Sequence, residues 1–320
     1  MSLTIAHLSD VHLAPERGIG PVGMAPKLGL RHVNVKRALG YANWMLKRRK
    51  VHLRSVVDRI TADLADQHPD HIIVSGDLTN LGLPGEHAAA LDWLRRLGPP
   101  DRVTVVPGNH DIYCPLWRDP GVERWRDYMR SDTGGAALVT AVERGFPFVR
   151  LVGKVAVVGL VSAVPTAPFQ ATGRLGAAQL AAIGPLLDRL AGDYFRLVVI
   201  HHPPLPGQAD ARRELTDAGS FEAVLKKHGA ELVVHGHNHV DMVATRSWPG
   251  GAIHVVGAAS ASVGRAHKAE PLARYNLYSI ADDAGRRAPI EVVTRGLAGP
   301  DGPVREISRR TLAAVNTLAT

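Results

Sequence analysis

The sequence is poor in residues and patterns that define several large classes of protein. Among its 320 residues there is one cysteine, Cys114, which excludes an intrachain disulfide and a zinc site built from several cysteines. No apolar run approaches the length needed to cross a bilayer, and the first ten residues lack the basic segment of a secretory signal. We therefore predict a globular protein of a reducing compartment, the cytoplasm by default. Any metal would be held by His, Asp, Glu or Asn.

Positive charge is concentrated in one segment. The net charge is +8, but residues 27–59 alone contain ten Lys and Arg against a single acid, Asp58, so the remainder of the chain is close to neutral. A local excess of this kind weakens the argument for a protein that coats nucleic acid. It directs attention to the segment itself.

Short runs rich in β-branched residues alternate with helical patterns. The runs are LTIAHLSDVH, HIIVSGDLTN, RVTVVPGNHD, KVAVVGLVSA, RLVVIHHPPL, AELVVHGHNH and IHVVGAASAS. Helical patterns lie between several of them, at Ser55 to Gln67, Glu86 to Leu97, Ala177 to Leu190 and Ser220 to His228. This alternation predicts a layered α/β fold.

Metal-binding side chains cluster where five of these runs end. They are Asp10 and His12; Asp77; Asn109, His110 and Asp111; His201 and His202; and His235, His237 and His239. Ligands of open α/β sheets bind outside the carboxyl ends of the strands, so these clusters would converge in space. A helix cap or a tight turn would explain any one of them, but not five at the same topological position.

The ordered motifs resemble those of the calcineurin-like metallophosphoesterase family. They are D-x-H (Asp10, His12), G-D (Gly76, Asp77), G-N-H-D (Gly108 to Asp111), H-x-P (His201 to Pro203) and G-H-x-H (Gly236 to His239), over residues 5 to about 240. The resemblance implies a four-layer α-β-β-α sandwich, with two mixed sheets packed face to face. We assign this domain to residues 1–281 and a C-terminal extension that adds a strand to residues 282–320. Strands at 253–260, 274–280 and 290–295 are expected to finish the second sheet.

By this resemblance, seven side chains hold two divalent cations, and Asp77 bridges them. Asp10, His12 and His239 would complete one site, and Asn109, His201 and His237 the other. Nitrogen and oxygen ligands without sulfur fit Fe, Mn, Zn or Co better than Ca or Mg. A hydroxide activated by the two metals would attack phosphorus, with His110 as general acid and Asp111 orienting its ring.

The basic segment predicts an amphipathic helical insertion at about residues 31–54. A spacing of 100° per residue puts an apolar stripe on one face, expected to dock on the domain, which consists of Val35, Ala38, Leu39, Ala42 and Leu46. The opposite face is expected to point outwards at the rim of the metal site. The candidates for substrate binding are the residues of this face, Arg37, Tyr41, Trp44 and Arg48, together with His202. A lid over an anionic substrate, a contact with anionic lipid, a platform for stacked bases and a solvated helix all remain open.

The expected activity is hydrolysis of a phosphodiester or pyrophosphate in a small molecule or nucleotide. HHPP at residues 201–204, with D-x-H and GHNH, resembles the bacterial cyclic-nucleotide and glycerophosphodiester branch of the family. KRALGYANWMLKRRK is loosely similar to segments of enzymes that act on the pyrophosphate of a lipid A precursor, UDP-diacylglucosamine, and this pyrophosphatase is one alternative. A nuclease that uses the basic helix is another, although nucleic acid is not the expected partner. The intact ligand positions disfavour a non-catalytic scaffold.

Overall fold

The strands and helices follow the predicted alternation. The structure, a computed structural model, describes residues 2–13, 34–116, 118–140, 144–248, 251–281 and 288–314. The described strands are β1 (Ser2–Leu8), β2 (His71–Val74), β3 (Val103–Val105), β4 (Phe148–Val152), β5 (Val155–Gly159), β6 (Phe195–Val199), β7 (Leu232–His235), β8 (Met242–Trp248), β9 (Gly251–Gly257), β10 (Arg274–Ala281), β11 (Ile290–Leu297) and β12 (Val304–Leu312). The described α-helices of more than one turn are α1 (Val35–Asn43), α2 (Arg54–Asp66), α3 (Pro84–Leu97), α4 (Thr133–Leu138), α5 (Ala177–Leu190) and α6 (Ala218–His228).

Two six-stranded mixed sheets form the centre of the fold. Their strand orders are β12-β11-β10-β1-β2-β3 and β4-β5-β6-β7-β9-β8. In the first sheet β1, β2 and β3 are parallel, and in the second β5, β6, β7 and β9 are parallel. With helices on their outer faces, the sheets make the α/β sandwich that was predicted, and the fold class is confirmed.

Alternate residues of the second sheet's strands belong to two different cores. Val155 and Val157 pack into the core shared with the first sheet, whereas Ala156 and Val158 pack into the core that includes residues of α5 and α6. Because both faces of these strands are buried, the sequence shows continuous apolar runs instead of an alternation of apolar and polar residues.

One part of the predicted topology is wrong. The strands around residues 274–280 and 290–295, now β10 and β11, join the first sheet, because β10 pairs with β1 in antiparallel register and β11 pairs with β10. Of the three strands that were predicted to finish the second sheet, only β9, which overlaps the predicted strand at 253–260, lies in it. The described part of residues 282–320 forms two strands, β11 and β12, while residues 282–287 and 315–320 lie outside the described residues.

The predicted insertion is helical, but it docks through the opposite face. Helix α1 continues as a π-helix (Trp44–Arg48) and a further turn (Arg49–Val51); residues 31–33 lie outside the described part. All five residues of the apolar stripe are exposed, with Leu46 72% exposed, whereas Arg37 is 1% exposed. The reason is that the Arg37 guanidinium donates hydrogen bonds to the carbonyl oxygens of Leu81, Gly82 and Cys114. These hydrogen bonds compensate the cost of burying the Arg37 charge, so the insertion docks through the face that carries Arg37.

The loop after β2 is held in shape by a buried carboxylate at the start of α3. Glu86 accepts hydrogen bonds from the backbone N–H groups of Asn80, Leu81 and Leu83. Burial raises the pKa of Glu86 above its usual range. The carbonyl oxygens of Thr79 and Asn80 in this loop accept hydrogen bonds from the His12 and His110 rings. Among the described residues, no helix has both the length and the apolar character that a membrane span requires.

Candidate active site

Loops at the carboxyl ends of strands from both sheets meet at one edge of the sandwich. The loops after β1 and β2 are tied together, since Asp10 N–H donates to Gly76 O at 3.0 Å and His12 N–H donates to Asp77 O at 2.9 Å. The loop after β7 approaches so closely that a Cβ at Gly236 would overlap the Ser9 hydroxyl. Glycine is therefore required at position 236.

Five predicted ligands have a left-handed backbone conformation. Their φ angles are 53° for Asp10, 42° for His12, 56° for Asp77, 70° for His237 and 57° for His239. Non-glycine residues adopt this region uncommonly, and such outliers concentrate at functional sites. The loops thus hold these side chains in orientations that an ordinary turn would not produce.

Each predicted histidine ligand has one ring nitrogen fixed by an outer acceptor. These hydrogen bonds run from His12 Nδ1 to Thr79 O (3.1 Å), from His201 Nδ1 to Ser75 O (2.7 Å), from His237 Nε2 to Arg213 O (3.0 Å) and from His239 Nδ1 to Glu270 Oε2 (3.1 Å). An outer partner of this kind fixes the tautomer and leaves the other nitrogen with a lone pair for a metal.

The inner nitrogens and oxygens face one another at contact distance. His12 Nε2 lies 3.2 Å from His239 Nε2, and His201 Nε2 lies 3.3 Å from His237 Nδ1. The buried Asp10 Oδ1 lies 3.1 Å from His239 Nε2 and 3.9 Å from His12 Nε2. Imidazole nitrogens and carboxylate oxygens that converge in this way fit divalent cations with mixed nitrogen and oxygen ligands.

Asp77 lies between the two groups of predicted ligands. Its Oδ2 is 3.5 Å from His201 Nε2 and 4.0 Å from His12 Nε2, while its Oδ1 accepts the backbone N–H of His110 at 2.7 Å. Asn109 Oδ1 is 3.1 Å from His201 Nε2. All seven predicted metal ligands are therefore gathered in one buried cluster, with Asp77 placed where a shared ligand would be.

Protons on two histidines balance the buried carboxylates. Burial lowers the pKa of His201, but Asp77 outweighs it and raises that pKa to about 9. Burial likewise opposes a charge on His239, whose pKa Asp10 and Glu270 raise to about 9. Metal ligands must be deprotonated, so a cation bound here would displace these protons.

His110 faces the cluster, but Asp111 does not orient its ring. The His110 Nδ1 donates to Asn80 O at 2.5 Å, and the ring stacks on Tyr113 with centroids 5.5 Å apart. The Asp111 carboxylate instead accepts the backbone N–H groups of Thr79 and Gly108, both at 2.9 Å. The predicted orienting role is therefore wrong: Asp111 braces the loops after β2 and β3. Burial raises its pKa to about 7, to which the charge of Asp77 contributes.

Of the predicted substrate-binding residues, Arg48 lies at the cluster. Its guanidinium is 2.7 Å from His110 Nε2 and 2.8 Å from His12 Nε2. Arg37 and Tyr41 are buried on the docked face of the insertion, and half-buried Trp44 stacks on Tyr41. These side chains do not point outwards, contrary to the prediction.

The prediction for His202 is also corrected. This residue is fully buried, and its two ring nitrogens contact Ser162 Oγ at 2.8 Å and Ala171 O at 3.1 Å. It packs against the rings of His201 and His237, with the His237 centroid 4.4 Å away. His202 therefore supports the ligands, and its side chain is not available to a substrate.

A cavity of about 320 Å³ opens over the cluster, close to the lower limit for small-molecule sites. Four cationic side chains line it, namely Lys47, Arg48, Arg213 and Lys268. His52 and Glu270 also line it, and sequence reasoning missed both. Neither residue belongs to a sequence motif, so no sequence pattern identifies them. Only their position in the fold places them at the cavity.

The fold has known structural relatives. A dimetal phosphatase from Danio rerio superimposes with a TM-score of 0.59 at 14% identity, covering 98% of this chain and 99% of that chain. A purple acid phosphatase from yellow lupin (Lupinus luteus) seeds gives a TM-score of 0.58 at 14% identity; 98% of this chain is covered but only 54% of the lupin chain. At these identities the likeness concerns the fold alone. No curated protein sequence matches significantly.

The sequence itself matches one family model. The model is described as calcineurin-like phosphoesterase, and the match covers residues 3–241, which contain every predicted ligand. The chain therefore belongs to the calcineurin-like phosphoesterase family.

Proposed function

We propose that this protein is a cytoplasmic phosphoesterase that uses two divalent cations, chosen from Fe, Mn, Zn or Co, to hydrolyse a phosphodiester or pyrophosphate. The observation that carries the proposal is the position of Asp77 Oδ2, which lies between His201 at 3.5 Å and His12 at 4.0 Å. When bound, two cations would neutralise phosphoryl oxygens and make water a nucleophile at neutral pH. The chain's own residues position the substrate and move the proton.

Arg48 binds the phosphoryl group in this proposal. Its guanidinium now donates to the His12 and His110 nitrogens, which are weaker acceptors than an anionic phosphoryl oxygen. The planar fork of arginine suits two oxygens of one phosphate. An incoming phosphate would therefore replace both imidazoles as the partner of Arg48.

His110 protonates the leaving oxygen. Its Nδ1 is committed to Asn80 O and its backbone N–H to Asp77, so Nε2 is the nitrogen that faces the cavity. Burial and the charge of Arg48 lower the pKa of His110 to about 4, and Nε2 accepts the Arg48 hydrogen bond. Nε2 takes up the proton for the leaving oxygen when an anionic phosphoryl group draws Arg48 away.

Cations at both ends of the cluster favour a diester or pyrophosphate over a monoester. Arg48 contacts His12 at one end, and Arg213 donates to the backbone oxygen of His237 at the other. Both side chains line the cavity, together with Lys47 and Lys268. A substrate with groups on both sides of the scissile phosphorus, at least one of them anionic, would use both ends.

Substrate preference tests this proposal. With Mn²⁺ present, we expect kcat/KM for bis(p-nitrophenyl) phosphate to exceed that for p-nitrophenyl phosphate by about 10-fold or more, or about 1.4 kcal/mol of transition-state stabilisation. Chelation of the metal should abolish both reactions. Cyclic nucleotides, glycerophosphodiesters and UDP-linked pyrophosphates would then be compared. A preference for the monoester would contradict the choice of a diester.

The nuclease alternative, which uses the basic helix on DNA or RNA, loses part of its platform for stacked bases, because Arg37 and Tyr41 are buried. A non-catalytic scaffold would have no use for seven converging ligands or for an imidazole aimed into the cavity.

We propose an anionic membrane as the partner of the exposed apolar stripe. Leu39 and Leu46 are 41% and 72% exposed, and the cations Lys47, Arg49 and Lys50 are exposed beside them. An apolar face flanked by Lys and Arg binds anionic lipid surfaces, with about 1 kcal/mol from each cation near the surface.

Vesicle co-sedimentation tests the membrane contact. We expect the protein to bind phosphatidylserine vesicles and not phosphatidylcholine vesicles, and we expect Leu39→Glu combined with Leu46→Glu to lose this binding. Val243→Glu is the matched control, because Val243 is 41% exposed on β8, outside the stripe. Equal binding of the double variant would refute the contact. Lipid-independent self-association that the double variant abolishes would identify a second copy as the occupant instead.

A further inference from the structure

A further inward-facing imidazole, His52, lies beside the predicted ligands. It follows the last turn of the insertion and is 6% exposed. Backbone hydrogen bonds fix its neighbours: Leu53 N–H donates to Ser262 O at 2.9 Å, and Gly264 N–H donates to Val51 O at 2.8 Å. His52 therefore occupies a defined position even though it belongs to no sequence motif.

The ring of His52 is oriented in the same way as the rings of the predicted ligands. Its Nδ1 lies 2.8 Å from Ser262 Oγ, and that hydroxyl lies 3.0 Å from Asp10 O and 2.9 Å from Ser260 Oγ. Both oxygens can accept the one proton of the Ser262 hydroxyl, and Nδ1 of His52 is then the donor to Ser262. The lone pair of the neutral ring is then on Nε2.

The remaining nitrogen of His52 points to one half of the cluster. Ring nitrogens of His12, His52 and His239 all lie within 4.8 Å of one another, and all three residues are buried. The His52 ring centroid is 4.8 Å from that of His12 and 5.5 Å from that of His239. Within the described ranges, no hydrogen-bond partner is found for His52 Nε2.

We propose that His52 Nε2 is an additional ligand of the cation held by Asp10, His12 and His239. This inference rests on the proposed function, because it deepens the same site. A third neutral imidazole would favour cations that prefer nitrogen, such as Zn²⁺ and Co²⁺, over Mn²⁺. It would also couple metal binding to the insertion, because His52 is next to the turn that ends it.

Metal titration of the metal-free, full-length protein tests this role. We expect His52→Gln to weaken Zn²⁺ and Co²⁺ binding at one of two sites by at least about 10–100-fold, the range observed when even an outer partner of a ligand is removed. His71→Gln is the matched control, since His71 is another buried histidine, whose Nε2 contacts Thr104 Oγ1 at 2.7 Å away from the cluster. The control should bind metal like the wild type.

The Co²⁺-loaded proteins distinguish a ligand from a merely structural residue. A bound histidine with a protonated Nδ1 gives a paramagnetically shifted, exchangeable N–H signal in the proton NMR spectrum. We expect one fewer signal in His52→Gln than in the wild type. Equal affinity, or weaker binding with an unchanged number of signals, would overturn the assignment. Wild-type protein that binds no metal would instead refute the proposed function itself.

Discussion

Asp77→Asn abolishes hydrolysis of bis(p-nitrophenyl) phosphate in the presence of Mn²⁺. This is the expected result because Asp77 Oδ2 lies between the two halves of the cluster, and an amide supplies no negative charge to be shared by two cations. The amide oxygen can still accept the backbone N–H of His110, so the loop after β3 should keep its structure. The measurement is initial rate together with metal content per chain.

The matched control is Asp92→Asn. Asp92 is an exposed carboxylate on α3 that pairs with Arg95, and the same chemical change there should leave the rate and metal content unaltered. His237→Ala should reproduce the effect of Asp77→Asn from the other side of the cluster. Diester hydrolysis that survives both substitutions would remove the metal assignment.

The second large effect is expected for His110→Ala. Loss of a general acid lowers the rate by about 10² to 10⁴. The loss should be largest for diesters with an alkoxide leaving group and smaller for p-nitrophenyl esters, because p-nitrophenolate departs without full protonation. Metal content should remain that of the wild type, since His110 turns its Nδ1 to Asn80 and is not among the seven predicted ligands.

A leaving-group series separates this role from a structural one. His228→Ala, at the end of α6 and paired with Asp188, should show no dependence on the leaving group. If His110→Ala reduces hydrolysis of alkyl and p-nitrophenyl diesters by the same factor, His110 positions the substrate and is not the acid.

The family, the fold class and the convergence of the cluster could be predicted from sequence because they depend on local patterns in a fixed order. Runs of β-branched residues identified the central strands, and α5 has the predicted bounds, Ala177–Leu190. Polar residues directly after such runs lie at the same edge of the sheets. The five motifs therefore predict from the sequence alone that Asp10, Asp77 and His237 lie in one cluster.

What could not be predicted depends on partners distant in sequence. Helical periodicity identified two faces of the insertion, and the hydrophobic rule selected the wrong one as the docking face. That rule fails because Arg37 donates hydrogen bonds to three carbonyl oxygens of residues distant in sequence. Helical periodicity carries no information about such partners. The sheet that β10 joins and the use of Asp111 by Thr79 and Gly108 likewise depend on tertiary contacts. His52 was missed for the same reason.

The left-handed turns at five ligand positions also restrict how this scaffold can diverge. At roughly 1–2 kcal/mol per residue, these turns together consume a sizeable fraction of the net stability of an ordinary domain. A descendant that no longer needed chemistry here would relieve backbone strain by exchanging Asp10, His12 or His239 for glycine, which adopts positive φ without steric cost. Glycine at these points in a related chain would therefore mark a lineage in which selection for catalysis has been relaxed.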